Sequence, residues 1–222
     1  MNIIMLGAPG TGKGTVAAIL KEKLGIPHIS SGDIFRECIT KKDDLAKELD
    51  SYLSKGALVP DELTIRIIEN RLEQPDMQNG IILDGFPRTI DQAEELDNFF
   101  AKSGKKVDMV INLVTPEEEV IERIINRRIC SNQACKAVFN LKLNPPTVEG
   151  KCDKCGADLI QRKDDNESTV KDRLSTYFKQ TSPLVEFYEN KGVLATHEVS
   201  EKINKFAKDV ADDVVAYIKE NF

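Results

Sequence analysis

The nine residues GAPGTGKGT, Gly7 to Thr15, decide how the rest of the chain is read. They follow a short apolar run, NIIML (Asn2 to Leu6), and precede helical periodicity through Val16, Ile19, Leu20 and Leu24. The spacing of Gly7, Gly12 and Lys13 matches the phosphate-loop pattern G-x-x-x-x-G-K-[ST]. Glycines let the backbone N–H groups of Gly10, Thr11, Gly12, Lys13, Gly14 and Thr15 turn inward around phosphate oxygens. The helix that starts near Lys13 adds its positive N-terminal end, and Lys13 adds a point charge. A glycine-rich turn without a ligand is the plainer reading. The strand before, the helix after and the placed lysine all weigh against it.

The pattern breaks at one position. Gly14 stands where a Ser or Thr hydroxyl would take Mg²⁺, and Thr15 comes one residue late. A second acid offers another holder for the metal. Asp84 follows the apolar run Ile81 to Leu83, so it ends a strand, as the acid of phosphate-loop enzymes does. Mg²⁺ gives up its water reluctantly, so Asp84, helped by Asp33, is expected to hold it through water. The plainer readings are a turn aspartate before Gly85 and, for Asp33, an acid favoured by a helix N-terminus.

Outward from the loop, strands alternate with helices. Expected strands are Asn2 to Leu6, Ile26 to Ser30, Gly80 to Gly85, Val107 to Leu113 and Val193 to Val199. Short helices are expected from Ser31 to Leu72, broken at KGALVP, and further helices over Thr89 to Lys102, Pro116 to about Arg128, and Asn166 to Asn190 with a break near Pro183. A last helix closes the chain. This rhythm predicts an α/β fold with a parallel five-stranded sheet flanked by helices, and ligands at the C-terminal strand ends. Ile129 to Lys163 interrupts it and reads as a small inserted domain.

Composition narrows the function. The 222 residues suit one domain with insertions. With 31 basic and 37 acidic residues, the net charge of −6 argues against a general nucleic-acid surface. No apolar run could span a bilayer, NIIML is too short for a signal sequence, and the expected address is the cytoplasm. The only histidines, His28 and His197, read as packing or strand residues. A hydroxyl acceptor would want a general base. A phosphate acceptor is already ionised, and positioning with charge neutralisation suffices for it. Arg36, Arg88, Arg123, Arg127, Arg162 and Arg173 are each ordinary surface charges when taken alone. Beside a phosphate loop they suggest a cluster around transferring phosphates, with Arg123 and Arg127 expected on one helix face.

Four of the five cysteines fall in the insert as CSNQAC (Cys130, Cys135) and CDKC (Cys152, Cys155). Four thiolates suit a closed tetrahedral site of structural type, and zinc is the expected metal, with iron the alternative. Free or disulfide-bonded thiols are the other reading. The first pair, C-x₄-C, lies within the permitted ligand spacing. Cys38 reads as a small buried hydrophobe.

These stretches, with ISSGDIFRE, GALVPDE, LDGFPRT, RIINRR, NPP, QRKDDNESTV and DRL, resemble adenylate kinase over essentially the whole chain. The resemblance implies the reaction ATP + AMP = 2 ADP with Mg²⁺; a monomer is the default expectation. In that family glycine normally follows the loop lysine. Carried over, Gly10 to Thr15 would bind ATP phosphates; Arg123 would lie on the ATP adenine, Arg127 on its phosphates, and backbone at Glu201 on the adenine edge. Ser31, Arg36, Gly85, Phe86, Pro87, Arg88 and Gln92 would bind AMP, with Ala57, Leu58 and Val59 lining the same pocket. Arg162 and Arg173 would bridge the phosphate chains, and Val138 and Phe139 would cover the ATP. Residues 30–59 would form an AMP-binding arm and 127–165 a lid, on a core of 1–29, 60–126 and 166–222. Glu198-Val199 departs from the Asp/Asn-Gly usual before the adenine loop. A UMP/CMP kinase is the close rival, disfavoured by the long cysteine lid. A phosphate-loop regulator with a nucleic-acid-binding zinc ribbon is the distant one.

Overall fold

The computed structural model describes residues 1–203 and 205–221. Its centre is a sheet of five parallel strands: β1 (Asn2–Gly7), β2 (His28–Ser30), β3 (Ile81–Asp84), β4 (Met109–Val114) and a last strand, Leu194–Glu198, in the order β2-β3-β1-β4-last. In β1 every residue is buried, as a central parallel strand requires. Register places Met5 beside Asp84 and Ile111, and Gly7 beside Leu113, so the chemistry-bearing strand ends line up at one edge.

Helix α1 (Lys13–Leu24) leaves β1 through the phosphate loop and stops at Gly25, which adopts φ 67° and returns its N–H to the Lys21 carbonyl. Helices α2 (Ser31–Ile39) and α3 (Asp44–Leu53) form the first excursion from the sheet, capped by Ser30 and Asp43. Their small core is Phe35, Leu49, Val59 and Leu63. Helix α4 (Asp61–Leu72) and α5 (Ile90–Lys102, capped by Thr89) return to the sheet. Ile4, Leu6, Ile81 and Leu83 pack on their side, and Ile3, Met5, Ile82 and Ile111 face α1 and the C-terminal helix.

Helix α6 (Glu117–Ile125) follows Pro116 but ends three residues before the expected Arg128. The Asn126 side chain donates to the Glu122 carbonyl, the Asn140 side chain donates to the Arg123 carbonyl, and Arg127 then enters a strand. That strand, β5 (Arg127–Cys130), pairs antiparallel with β6 (Val138–Asn140) and β7 (Leu159–Ile160) in a separate sheet. Helix α7 (Glu167–Thr176, capped by Asn166) leads into a wide turn over Tyr177–Thr181, and α8 (Pro183–Asn190) starts at the proline. The Ser182 N–H reaches back to the Tyr177 carbonyl, and the next residue, a proline with no N–H, needs no partner there. The last strand of the main sheet is β8 (Leu194–Glu198), and α9 (Ala207–Asn221) packs on α1. No described helix is long and apolar enough to cross a membrane.

Candidate active site

The phosphate loop is wedged between β4 and α6. Gly10 has φ 86°, and a Cβ there would lie 2.9 Å from Ile124 Cγ1 and 3.0 Å from the Val120 carbonyl oxygen. Only glycine meets both the backbone conformation and the space. Thr11 is buried and gives its hydroxyl to the Ala8 carbonyl at 2.9 Å. Lys13 Nζ folds back over the loop and donates to the carbonyls of Gly7 (2.7 Å) and Ala8 (2.8 Å). Burial pushes the Lys13 ammonium down to about 8; Asp84 works against this, and Arg88, Arg173 and Arg127 add to it.

Asp84 ends β3 beside Met5 of β1 and Ser30 of β2. A Cβ on Gly14 would be 3.5 Å from its Oδ2, so glycine keeps the space between loop and acid open. Burial raises the Asp84 pKa, but the His28 ring and the Lys13 and Arg88 charges outweigh it and hold the carboxyl below its usual range. His28 Nε2 stands 3.6 Å from Asp84 Oδ2 and has no hydrogen-bond partner among the described residues. Local pattern marks this histidine only as a packing residue. Parallel pairing of β2 with β3 is what aims it at the acid.

On the β2 side, Ser31 gives its hydroxyl to the Gly85 carbonyl (2.7 Å), and Arg88 Nε donates to the same oxygen (2.8 Å). Phe86 and Pro87 are buried beneath this turn. Gln92, 2% exposed, accepts the Arg88 backbone N–H at 2.7 Å and donates to Asp61 at 2.7 Å. Thr89 gives its hydroxyl to the other Asp61 oxygen, also at 2.7 Å. Asp61 thus fixes which way the Gln92 amide points, a role that GALVPDE does not announce. Val59 turns into the small core beside α2 and α3, and Ala57 is exposed beside half-buried Leu58. Cys38 lines that same small core, half-buried.

The arginines converge with acids between them. Arg36 pairs with Asp33 at 2.6 Å, and Arg162 approaches the same carboxylate at 3.5 Å. Arg173 meets Asp164 at 3.0 Å and Asp165 at 3.6 Å. Arg127 holds fully buried Asp165 through both Nε (2.8 Å) and Nη2. Arg127 therefore does not share a helix face with Arg123, as the i, i+4 spacing suggests. Arg123 lies on α6, whereas Arg127 opens β5, because pairing with β6 takes over after Asn126. Burial, then the charge of Arg173, lowers the Arg88 pKa, which marks a place that favours an added anion.

Arg123 instead joins the loop after β8. It donates to Glu119 at 2.9 Å and to the Val199 carbonyl at 3.3 Å. Glu201 opens a short 3₁₀ turn, and its N–H is taken by Glu119 at 3.1 Å. Glu119 is a further residue that sequence reasoning missed, because the run Glu117-Glu118-Glu119 reads as acids placed by a helix N-terminus.

In the small sheet, Val138 and Phe139 face opposite sides. Val138 is 46% exposed, while the Phe139 ring packs on Cys130 and Cys152. The four insert sulfurs lie within 4.8 Å of one another, with Cys130 and Cys155 3.4 Å apart and Cys135 and Cys152 3.7 Å apart. A tetrahedron of ~2.3 Å metal–sulfur bonds has edges of roughly 3.8 Å, so the thiols fit one metal. The Asn132 side-chain amide donates toward Cys155 Sγ at 3.9 Å. The longer first knuckle closes through Asn132, whose side chain accepts the Ala134 N–H and whose carbonyl accepts those of Cys135 and Lys136.

A family profile described as adenylate kinase matches residues 5–193. Proteins named adenylate kinase are similar along nearly the whole chain. That of Caldicellulosiruptor saccharolyticus is 51% identical over 210 residues, covering 95% of this chain and 97% of its own. That of Clostridium kluyveri is 52% identical over 205 residues, covering 92% and 94%. That of Archaeoglobus fulgidus is 50% identical over 210 residues, covering 95% and 96%. With its phosphate loop set against Asp84 and a cluster of half-buried arginines, and with this likeness along nearly the whole chain, the chain belongs to the adenylate kinase family.

Proposed function

We propose that the two nucleotides of the adenylate kinase reaction, ATP + AMP = 2 ADP, meet across Lys13. The donor lies on the Gly10–Thr15 cradle, and the acceptor lies between α2 and the turn at residues 85–88. The observation that carries this reading is the charge cluster: Lys13 shares its surroundings with Asp84, Arg88, Arg127 and Arg173, and Asp84 ends parallel strand β3, where ligands of such sheets sit. Arg36, Arg127, Arg162 and Arg173 now face Asp33, Asp164 and Asp165. Phosphate oxygens would replace those carboxylates as partners, since a planar guanidinium accepts either in the same two-pronged way.

Ser31, Arg36, Gly85, Arg88 and Gln92 then hold AMP, and Arg123 with the backbone at Glu201 faces the donor's base. From the insert, Val138 offers its side chain and Phe139 its backbone. Residues 127–165 act as a lid and 30–59 as an arm; closing both keeps water from the transferring phosphoryl group. An AMP phosphate oxygen attacks without a general base, because it is already ionised and needs only placement and neutralised charge. Asp84 would hold Mg²⁺ through water, and bound there the ion would neutralise donor phosphate charge. Asp33 would join it only once Arg36 and Arg162 turn to phosphate. Zinc on Cys130, Cys135, Cys152 and Cys155 would be structural, since four thiolates leave no open position. The protein acts as a cytoplasmic monomer on ATP, ADP and AMP, and its net charge of −6 supports leaving nucleic acid out.

Three tests bear on this assignment, the first a pair of turnover assays. A coupled assay should show ADP formed from ATP only when AMP is added. Arg88→Lys keeps the charge but loses the fork, so turnover should fall about tenfold for each ~1.4 kcal/mol lost. Turnover close to that of the unaltered protein, at ordinary AMP concentrations, would remove Arg88 from the acceptor site.

The second is a pH profile. A lysine lowered to about 8 carries its charge below that pH and loses it above. The value of kcat/KM for ATP, which reports free enzyme, should fall as pH rises through about 8. A profile flat to about pH 10 would show that Lys13 stays charged well beyond this value.

The third concerns the lid metal. Protein purified without chelator should carry one equivalent of zinc, and Cys152→Ser should release it and lower the melting temperature. Less than about a tenth of an equivalent of zinc or iron, with four titratable insert thiols, would contradict the site.

A further inference from the structure

We infer that Glu119 is a positioning residue for the phosphoryl donor: it clasps the loop after β8 to α6 and thereby sets the seat of the donor's purine. This rests on the reading above that the base lies beside Arg123.

Burial sets Glu119 apart from its neighbours. Three acids open α6, but only Glu119 is buried, at 7% exposure. A carboxylate out of water is costly unless its lone pairs are filled. Here they are filled by three donors. Oε1 accepts the Ser200 hydroxyl at 2.7 Å, and Oε2 accepts the Glu201 N–H at 3.1 Å and Arg123 Nη2 at 2.9 Å. Ser200 is itself fully buried, so this is an interior joint and not a surface pair.

The joint fixes a loop in a telling place. Val199 carbonyl oxygen accepts the Thr115 hydroxyl at 2.7 Å and Arg123 Nη1 at 3.3 Å, which anchors the loop's entry to the start of α6. Ser200 and Lys205 exchange backbone hydrogen bonds of 3.0 and 3.1 Å, which close the loop on itself. Its exit abuts the phosphate cradle, since a Cβ on Gly12 would lie 3.7 Å from Ala207 Cβ. On its β3 side the cradle faces Asp84, whose Oδ2 would lie 3.5 Å from a Cβ on Gly14. A base attached to phosphates in the cradle is therefore directed toward Arg123 and this loop.

Arg123 is suited to receive it. Its guanidinium is held on two sides by Glu119 and Val199, and its buried Nε has no hydrogen-bond partner among the described residues. A held guanidinium plane is a stacking surface for an aromatic base. Glu119 thus governs two parts of the seat at once, the plane of Arg123 and the aim of the Glu201 backbone. The ligand class this fits is a purine nucleoside triphosphate.

The test compares Glu119→Gln, Ser200→Ala and Arg123→Ala by calorimetry and steady-state kinetics, with ATP and inorganic tripolyphosphate as probes. For Glu119→Gln, ATP affinity should fall and its KM rise about tenfold, as loss of a charge-assisted hydrogen bond predicts. Tripolyphosphate, which has no base, should bind unchanged. The KM for AMP and the kcat at saturating ATP should stay within about twofold, and the preference for ATP over GTP should narrow. Ser200→Ala should show the same split more weakly, and it serves if Glu119→Gln folds poorly. Unchanged ATP affinity in both clasp variants, while Arg123→Ala weakens ATP and spares tripolyphosphate, would overturn the clasp and leave the base seat standing. Unchanged ATP affinity in Arg123→Ala would overturn the seat and the clasp with it. Equal losses for ATP, AMP and tripolyphosphate would reduce Glu119 to general structural support and overturn the proposal.

Discussion

The close approach of Gly7 to β4 is the constraint on which the rest depends. A Cβ at that position would stand 2.4 Å from the Leu113 carbonyl oxygen, at φ 134°. The chain can therefore turn out of β1 against its neighbour without leaving the sheet's edge. The turn carries Lys13 back over the carbonyls of Gly7 and Ala8 and starts α1 with its N-terminus at the strand ends. Other parts of the site are placed relative to that turn: Asp84 by register with Met5, α6 by its approach to Gly10, and the start of α9 by its approach to Gly12. A larger residue at Gly7 would part β1 from β4, and the site would lose its reference point.

Charge balance is the second determinant. Lys13 and several arginines are withdrawn from water near one another, an arrangement that repels itself unless acids or phosphates intervene. Asp33, Asp164 and Asp165 supply that balance in this structure. Asp165 is fully buried between Arg127 and Arg173, which joins the first strand of the insert to helix α7 on the insert's far side. The same ion pairs that stabilise the resting arrangement connect the insert to the core. Exchange of carboxylate for phosphate would thus be felt on both sides of the insert at once.

Much of this was legible in the residues. The apolar runs became the central strands β1, β3 and β4, because strands buried on both faces are written as continuous hydrophobic stretches, while the edge strands β2 and β8 are only partly buried. The phosphate loop was legible because its glycines answer a local backbone demand. What local patterns miss is decided by distant partners. The helix that would have carried Arg127 stops at Ile125 because a strand beginning at residue 138 pairs with residues 127–129 and draws them into the small sheet. Val138 and Phe139 look equivalent as neighbours until β6 sends them to opposite faces. Glu119 is indistinguishable from Glu117 and Glu118 until the loop after β8, some 80 residues on, closes over it. His28 and Asp61 obey the same rule, since each takes its meaning from a residue brought near by the sheet.

The central claim is that donor and acceptor nucleotides lie end to end across Lys13, their phosphates sharing one ring of arginines. Calorimetric binding of a single molecule with two adenosines joined through five phosphates tests it most directly, because such a molecule spans both seats at once. One molecule should bind per chain, roughly a hundredfold or more tighter than ATP or AMP alone, with both nucleotides excluded by it. Affinity no better than that of ATP, or AMP binding undisturbed in its presence, would contradict a shared site.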